Sequence, residues 1–238
     1  IVISDHIEAQ NLSGLADILL GYRKIDARIG NECLLFGAPE VPGNRLIHSP
    51  TGQLDRYYDD VRRVFDAAHK AAQIAVEAGI KKPLLLVSLV NKDDKYQQAI
   101  QAAYLGMAQA LWQPLEAREN FNKPDLEPIT EIGIVGLSEQ QCTELYATEI
   151  GKRLARDLCG TEPERMAPPR FADYCETEFV DTPVEVNVIK DPMVLQRDFP
   201  LLYAVARASL KVERHQPRLV RLTYTGAGPI SKTLFFVG

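Results

Sequence analysis

Residues 54–90 read LDRYYDDVRRVFDAAHKAAQIAVEAGIKKPLLLVSLV and carry two hydrophobic periods in succession. In the first part Val61, Val64, Phe65, Ala68, Ala72 and Ala75 recur at helical spacing. Gly79 stands where the end of a helix takes a left-handed residue. The spacing predicts an amphipathic helix from Leu54 to that stop. After Pro83 comes LLLVSLV, a nearly continuous apolar run of the kind that is buried on both faces of a parallel sheet. A helix feeding a buried strand predicts a crossover unit.

Working outward, NECLLFGA at 31–38 and NRLIHSP at 44–50 read as strands about a turn at 39–43. Downstream, Asp93 and Asp94 offer an N-cap for a second helix. Its apolar stripe is Tyr96, Ile100, Ala103, Met107, Ala110 and Leu111, and Pro114 disturbs it. TEIGIVGL at 130–137 returns as a buried strand. Ser138 and Gln141 have the spacing of a capping box, which opens a third helix with the stripe Cys142, Leu145, Tyr146, Ile150, Leu154 and Leu158, closed by Gly160. Strand, helix, strand, helix, strand is the order of an α/β layered domain with a largely parallel sheet.

Beyond Gly160 the pattern resets. Pro168 and Pro169 suit the first turn of a helix through Glu178, and VEVNVIK at 184–190 alternates as a strand with one polar face. Asp191-Pro192 caps and opens a helix toward Ser209, which Pro200 breaks in two. Residues 218–238 read as two strands joined by a turn at 226–229. The expected organisation is an N-terminal α/β domain over 1–137, a linking helix over 138–160 and the incomplete beginning of a second domain over 161–238.

Composition limits the partners. The 238 residues are 46% hydrophobic and 25% charged, with a net charge of -5, which argues against the clustered basic surface of a nucleic-acid binder. No run approaches the roughly 20 apolar residues that span a bilayer, and the opening IVISDHIEAQ has neither the basic nor the apolar region of a signal peptide. A cytoplasmic chain with no membrane partner is expected. Cys33, Cys142, Cys159 and Cys175 are widely spaced, which fits reduced thiols. The sequon Asn11-Leu12-Ser13 reads as chance.

Most motifs that carry chemistry are missing. No phosphate-cradling GxxxxGK[ST] loop, no GxGxxG and no GxSxG occur. His6, His48, His69 and His215 have no HExxH spacing and read as solvated or core histidines, His69 as a partly buried one beside the apolar helix face. Asp59 and Asp60, ahead of Arg62 and Arg63, read as the wet side of a helix, and Asp93 and Asp94 as complements of a helix dipole. Glu162, Glu164 and Glu178 are scattered. The sequence therefore yields no catalytic, cofactor-binding or metal-ligating residue.

Residues 151–174, GKRLARDLCGTEPERMAPPRFADY, resemble a segment of the M17 leucyl (cytosol) aminopeptidase family, in which a linking helix runs into a TPPNxMTP-like turn and a further helix. Thr161, Pro163, Met166 and Pro168 match that turn, whereas Glu162, Glu164 and Ala167 depart from its proline, asparagine and threonine. VEVNVIKD at 184–191, LLYAVARAS at 201–209 and QPRLVRLTYTGAGPISKTLFFVG at 216–238 resemble the strands and helix that follow. In the family the strand corresponding to KTLFFVG continues into a GKGVTFDSGG-like loop, of which Gly238 would be the first glycine. The resemblance extends to residues 1–137 by architecture only, the family's N-terminal domain being a variable, macro-like α/β domain. The departures mark a divergent branch.

The resemblance implies a metal-dependent aminopeptidase that releases N-terminal residues from peptides through two divalent ions, zinc, manganese or magnesium. The paired ions would activate water, polarise the scissile carbonyl and anchor the free amine. It implies a mixed-sheet catalytic domain begun here, peptide substrates and a homohexamer. The metal-binding loop would lie beyond Gly238, so no catalytic, cofactor or metal residue is carried onto this chain, and residues 1–238 alone are expected to be inert. Two other readings are an inactive structural homologue of the same fold and an ADP-ribose-type binding module, the latter disfavoured by the absence of a glycine-rich loop near a strand end in residues 1–137.

Overall fold

The computed structural model describes residues 1–7, 14–121 and 126–237. The sequon at Asn11 and the terminal Gly238 lie outside these residues. The chain divides into two compact units, Ile1–Asp157 and Leu158–Gly238, the boundary falling in the last turn of a long helix.

The first unit contains β1 (Val2–Ser4), α1 (Leu15–Arg23), β2 (Leu34–Gly37), β3 (Arg45–Pro50), α2 (Arg62–Glu77), β4 (Leu84–Ser88), α3 (Ala99–Leu111), α4 (Leu115–Asn120), β5 (Gly133–Ile134) and most of α5 (Glu139–Gly160). Its sheet has the order β2-β3-β1-β4-β5, with β2 antiparallel to β3 and every other pair parallel. Alternation along the strands sends Ile3, Ile47 and Leu85 to one face, where they pack with Val64, Ala68 and Ala72 of α2 and Ala103 and Met107 of α3. Val2 and Leu46 go to the other face, against Leu19 of α1. The mixed α/β class expected from the alternating pattern is the one observed.

Helix α2 buries alanines at 67, 68, 71, 72 and 75, and this small-residue face brings α3 close. A Cβ at Gly106 of α3 would stand 2.2 Å from the Phe65 carbonyl oxygen, so only glycine fits that crossing. At the end of α2, Gly79 adopts φ +67°. The Ile80 N–H donates to the Ala75 carbonyl and the Gly79 N–H to that of Val76, a Schellman closure at the predicted stop.

Several boundaries differ from the sequence reading. Helix α2 begins at Arg62 and not Leu54, because Asp59 and Asp60 turn back on their own loop. Asp59 accepts from the Arg56 backbone and guanidinium, and Asp60 accepts from the Arg62 N–H. Asp59 is not on a wet helix face: it is buried, with Arg56 and Arg63 both paired to it. Asp93 does cap, accepting from the Lys95 N–H at 3.2 Å, but it opens only a short 3-10 turn at Asp94–Tyr96, and α3 starts at Ala99. The central strand β1 is formed by the opening Val2–Ser4, which the sequence reading left without structure. The strand expected at 130–137 contracts to Gly133–Ile134.

The second unit contains α6 (Pro168–Glu178), β6 (Val184–Ile189), α7 (Pro192–Asp198), α8 (Pro200–Ala206) and β7 (Leu219–Tyr224). Strands β6 and β7 pair antiparallel from Val184 opposite Tyr224 to Ile189 opposite Leu219. Asp191 accepts from the Met193 N–H at 2.8 Å, Pro192 opens α7, and Pro200 separates α7 from α8, as expected of that motif. The second strand expected after the turn at 226–229 is not formed. Residues 225–237 carry no strand, and Leu234, Phe235, Phe236 and Val237 are all exposed, an apolar run that none of the described residues covers.

Candidate catalytic-domain segment

Helix α5 starts with the capping box read from the sequence. The Ser138 hydroxyl accepts from the Gln141 N–H at 3.3 Å, and the Gln141 side-chain oxygen accepts from the Ser138 N–H at 2.9 Å. Its expected apolar stripe is not what buries it. Leu145 is buried, but Tyr146 and Ile150 are 61% and 52% exposed, while Glu149 and Asp157 are buried. The indole N–H of Trp112, the one tryptophan of the sequence, donates to Asp157 at 2.8 Å, and the Arg118 guanidinium pairs with the same carboxylate. Arg156 pairs with Glu149 and lies over the Trp112 ring. A charged clamp therefore fixes the helix that the periodicity assigned to an apolar seam. The pattern of polar residues on α5 gave no sign of it, because nothing in a sequence says which carboxylate will face an indole.

After α5 comes the TEPERMAP turn. The Glu162 carboxylate accepts from the N–H groups of Glu164 and Arg165, and the Met166 N–H donates to the Glu162 carbonyl. Thr161, Met166 and Ala167 are buried, and Pro168 opens α6, whose Ala172, Tyr174 and Cys175 are buried in turn. Glu164 receives the Arg214 guanidinium on one oxygen and His215 Nε2, 2.6 Å away, on the other. The two glutamates that set this turn apart are thus the residues that shape it: one closes the turn, and the other ties it to Glu213–His215.

Could these groups hold a metal ion? Among the described residues Glu164 and His215 form the only His–carboxylate pair, and the Arg214 cation already occupies that carboxylate. Among the described residues no three His, Cys, Asp or Glu side chains converge on a point that could take an ion. The residues present do not fit a divalent centre. His6 is exposed and His69 half-buried on α2. His48 is buried, with Nε2 2.9 Å from the Ser4 hydroxyl, and burial lowers its pKa from 6.5 to about 4. That Ser–His contact has neither solvent access nor an orienting carboxylate, so it is a core contact and not a nucleophile. The four cysteines are free thiols. Burial pushes the thiols of Cys33 and Cys175 up, away from the reactive thiolate. Among the described residues no helix is long and apolar enough to cross a membrane.

Comparison with known proteins places this segment. Residues 153–238 match the pattern of the cytosol aminopeptidase family, catalytic domain. A Caenorhabditis elegans protein named as a putative aminopeptidase is 36% identical over 236 residues, covering 96% of this chain and 44% of its own length. The bottromycin maturation enzyme BotP, solved in complex with Mn, superposes with a TM-score of 0.65 at 18% identity over 95% of this chain and 45% of its own. A mutant of tomato leucine aminopeptidase does so with a TM-score of 0.65 at 15% identity over 98% of this chain and 49% of its own. The chain spans somewhat under half the length of each. The catalytic-domain pattern starts in the last turns of α5 and runs through the glutamate-shaped turn and both strands of the second unit, and the shared fold extends over nearly all the rest. Residues 153–238 carry the catalytic-domain pattern of the cytosol aminopeptidase (M17) family, and over nearly all of its length the chain is similar to a divergent aminopeptidase-like protein of that kind.

Proposed function

We propose that the protein carrying this chain is a metal-dependent aminopeptidase that releases N-terminal residues from peptides. The observation that supports this reading is the catalytic-domain match over residues 153–238, which coincides with the turn, helix and strand pair of the second unit. The chain spans under half the length of its relatives, and the proposal puts the metal ligands in the part of the parent protein that residues 1–238 do not cover. On this reading residues 158–237 act as scaffold. The Glu162 and Glu164 contacts set the path of the chain into α6, and β6 and β7 supply a strand pair that further strands extend. Peptide substrates, a homohexameric assembly and a cytoplasmic location are part of the same proposal.

The test uses the full-length protein and a panel of aminoacyl-coumarin amides. Release should disappear with a chelator and return with added manganese or zinc, whereas the 238-residue chain alone should release nothing. Release indifferent to chelation would remove the metal from the proposal. A full-length protein silent with every metal would assign the chain to the inactive homologues of the fold.

A further inference from the structure

At the C-terminal end of β4 the first unit holds a cavity of about 250 Å³, lined in part by Leu89, Lys92, Asp93, Tyr96, Ala99 and Ile100. Its place in the topology is the one where α/β sheets bind ligands. Strand β1 is parallel to β3 on one side and β4 on the other, and the chain crosses between those sides through α2, which leaves a crevice outside the strands' carboxyl ends. The Asp5 carboxylate, just past β1, accepts from the N–H groups of Val90 and Asn91 and so holds the two strand ends together at this edge.

Three features of the lining point to a ligand. Helix α3 opens onto the cavity at Ala99 with no side-chain cap and no acidic residue in its first turn, so its amide N–H groups present partial positive charge there. Tyr96 is only 5% exposed, yet its buried hydroxyl has no hydrogen-bond partner, an omission that native cores seldom tolerate. Lys92, whose ammonium donates to the Leu89 carbonyl at 2.8 Å and keeps two further N–H donors, and Asp93, whose Oδ1 caps the Lys95 N–H, put one cation and one carboxylate on the same rim, beside the apolar Leu89 and Ile100.

Size and charge then select the ligand. The volume is below the roughly 300–1,000 Å³ of sites that take drug-sized molecules, which favours a ligand smaller than a nucleotide. Burial first, and then the charges of Asp59, Asp60, Asp93 and Asp5, raise the pKa of the Tyr96 phenol, surroundings that disfavour a polyanion. A small zwitterion with an apolar side chain meets none of these objections.

We propose that this crevice binds a free apolar α-amino acid, its carboxylate at the N-terminus of α3 near Lys92, its ammonium at Asp93 and the Tyr96 hydroxyl, and its side chain on Leu89 and Ile100. The site stands on the geometry of the first unit. Only a role in sensing the amino acid released by the enzyme rests on the peptidase reading.

Isothermal titration of the full-length protein, with a chelator present so that a metal centre does not hold the ligand, tests it with L-leucine, leucinamide, N-acetylleucine and inorganic phosphate. The expected result is one leucine per chain, with each blocked derivative at least about tenfold weaker, a loss of about 1.4 kcal/mol. Tyr96→Phe and Asp93→Asn, which keep the ring and the cap, should weaken leucine by a similar factor with unchanged circular dichroism. Absence of heat, equal binding of a blocked derivative, displacement by phosphate, or wild-type affinity in both variants would each overturn the assignment, the last by locating leucine elsewhere. Because the titration needs no turnover, an inactive protein that binds leucine defeats the peptidase reading alone, and an active one that does not bind defeats this proposal alone.

Discussion

His48 illustrates how a single buried side chain ties stability to pH. Its folded pKa of about 4 lies below its unfolded value of 6.5, so the unfolded chain takes up the proton first. The stabilisation from keeping the imidazole neutral is complete above pH 6.5 and is lost as pH falls toward 4. Its full depth is about 3 kcal/mol, at about 1.4 kcal/mol per unit. Urea midpoints at pH 7 and pH 5 should therefore separate more for the wild type than for His48→Gln, which has no proton to take. Equal pH dependence in the two would place the titration elsewhere. The sequence left His48 open as a solvated or a core histidine and read Asp59 as solvated. His48 sits within an apolar strand pattern that fixes its face, but the depth of burial comes from β1 and β2 on either side of it. Asp59 looked like half of a solvated acid–base run until the loop folded it under Arg56 and Arg63.

The secondary-structure elements were read best where local chemistry decides them. The Ser138–Gln141 box, the Asp191-Pro192 cap, the Pro200 break and the Gly79 stop all depend on residues within one turn, and all are in place. Removing the hydroxyl in Ser138→Ala should cost about 1 kcal/mol, read from denaturant midpoints. Gly106→Ala should cost more, about 1–3 kcal/mol, because the added methyl meets backbone and not a movable side chain. If Gly106→Ala were neutral in chemical denaturation, the close crossing of α2 and α3 would be wrong. Elements decided by their neighbours were read less well. Val2–Ser4 is three residues long and becomes a central strand only because β3 and β4 flank it. The α5 stripe has the right period, yet period says which side is apolar and not what covers it, and the burial there went to Glu149 and Asp157. Asp157→Ala should strip Trp112 and Arg118 of their shared partner, costing about 3–5 kcal/mol and shifting the emission of the single tryptophan. An unchanged spectrum would contradict the clamp.

At the scale of the whole molecule, the alternation of residues 54–90 was enough for the α/β class, and the residues from 151 onward were enough for the family. Spacing alone offered no active site, and the structure brings no metal-binding cluster together among the described residues. What the fold does carry is a family-specific turn rebuilt around two glutamates, and an apolar run at 234–237 that stands open. The proposed function is that of an enzyme that works from the peptide N-terminus. The most direct measurement is mass spectrometry of a heptapeptide with an apolar first residue and a free α-amine, incubated with the full-length protein and manganese, beside the same peptide with an acetylated N-terminus. The account predicts a ladder of products shortened one residue at a time from the free N-terminus, and an untouched acetylated peptide. Internal cleavage, or equal loss from the blocked peptide, would contradict it.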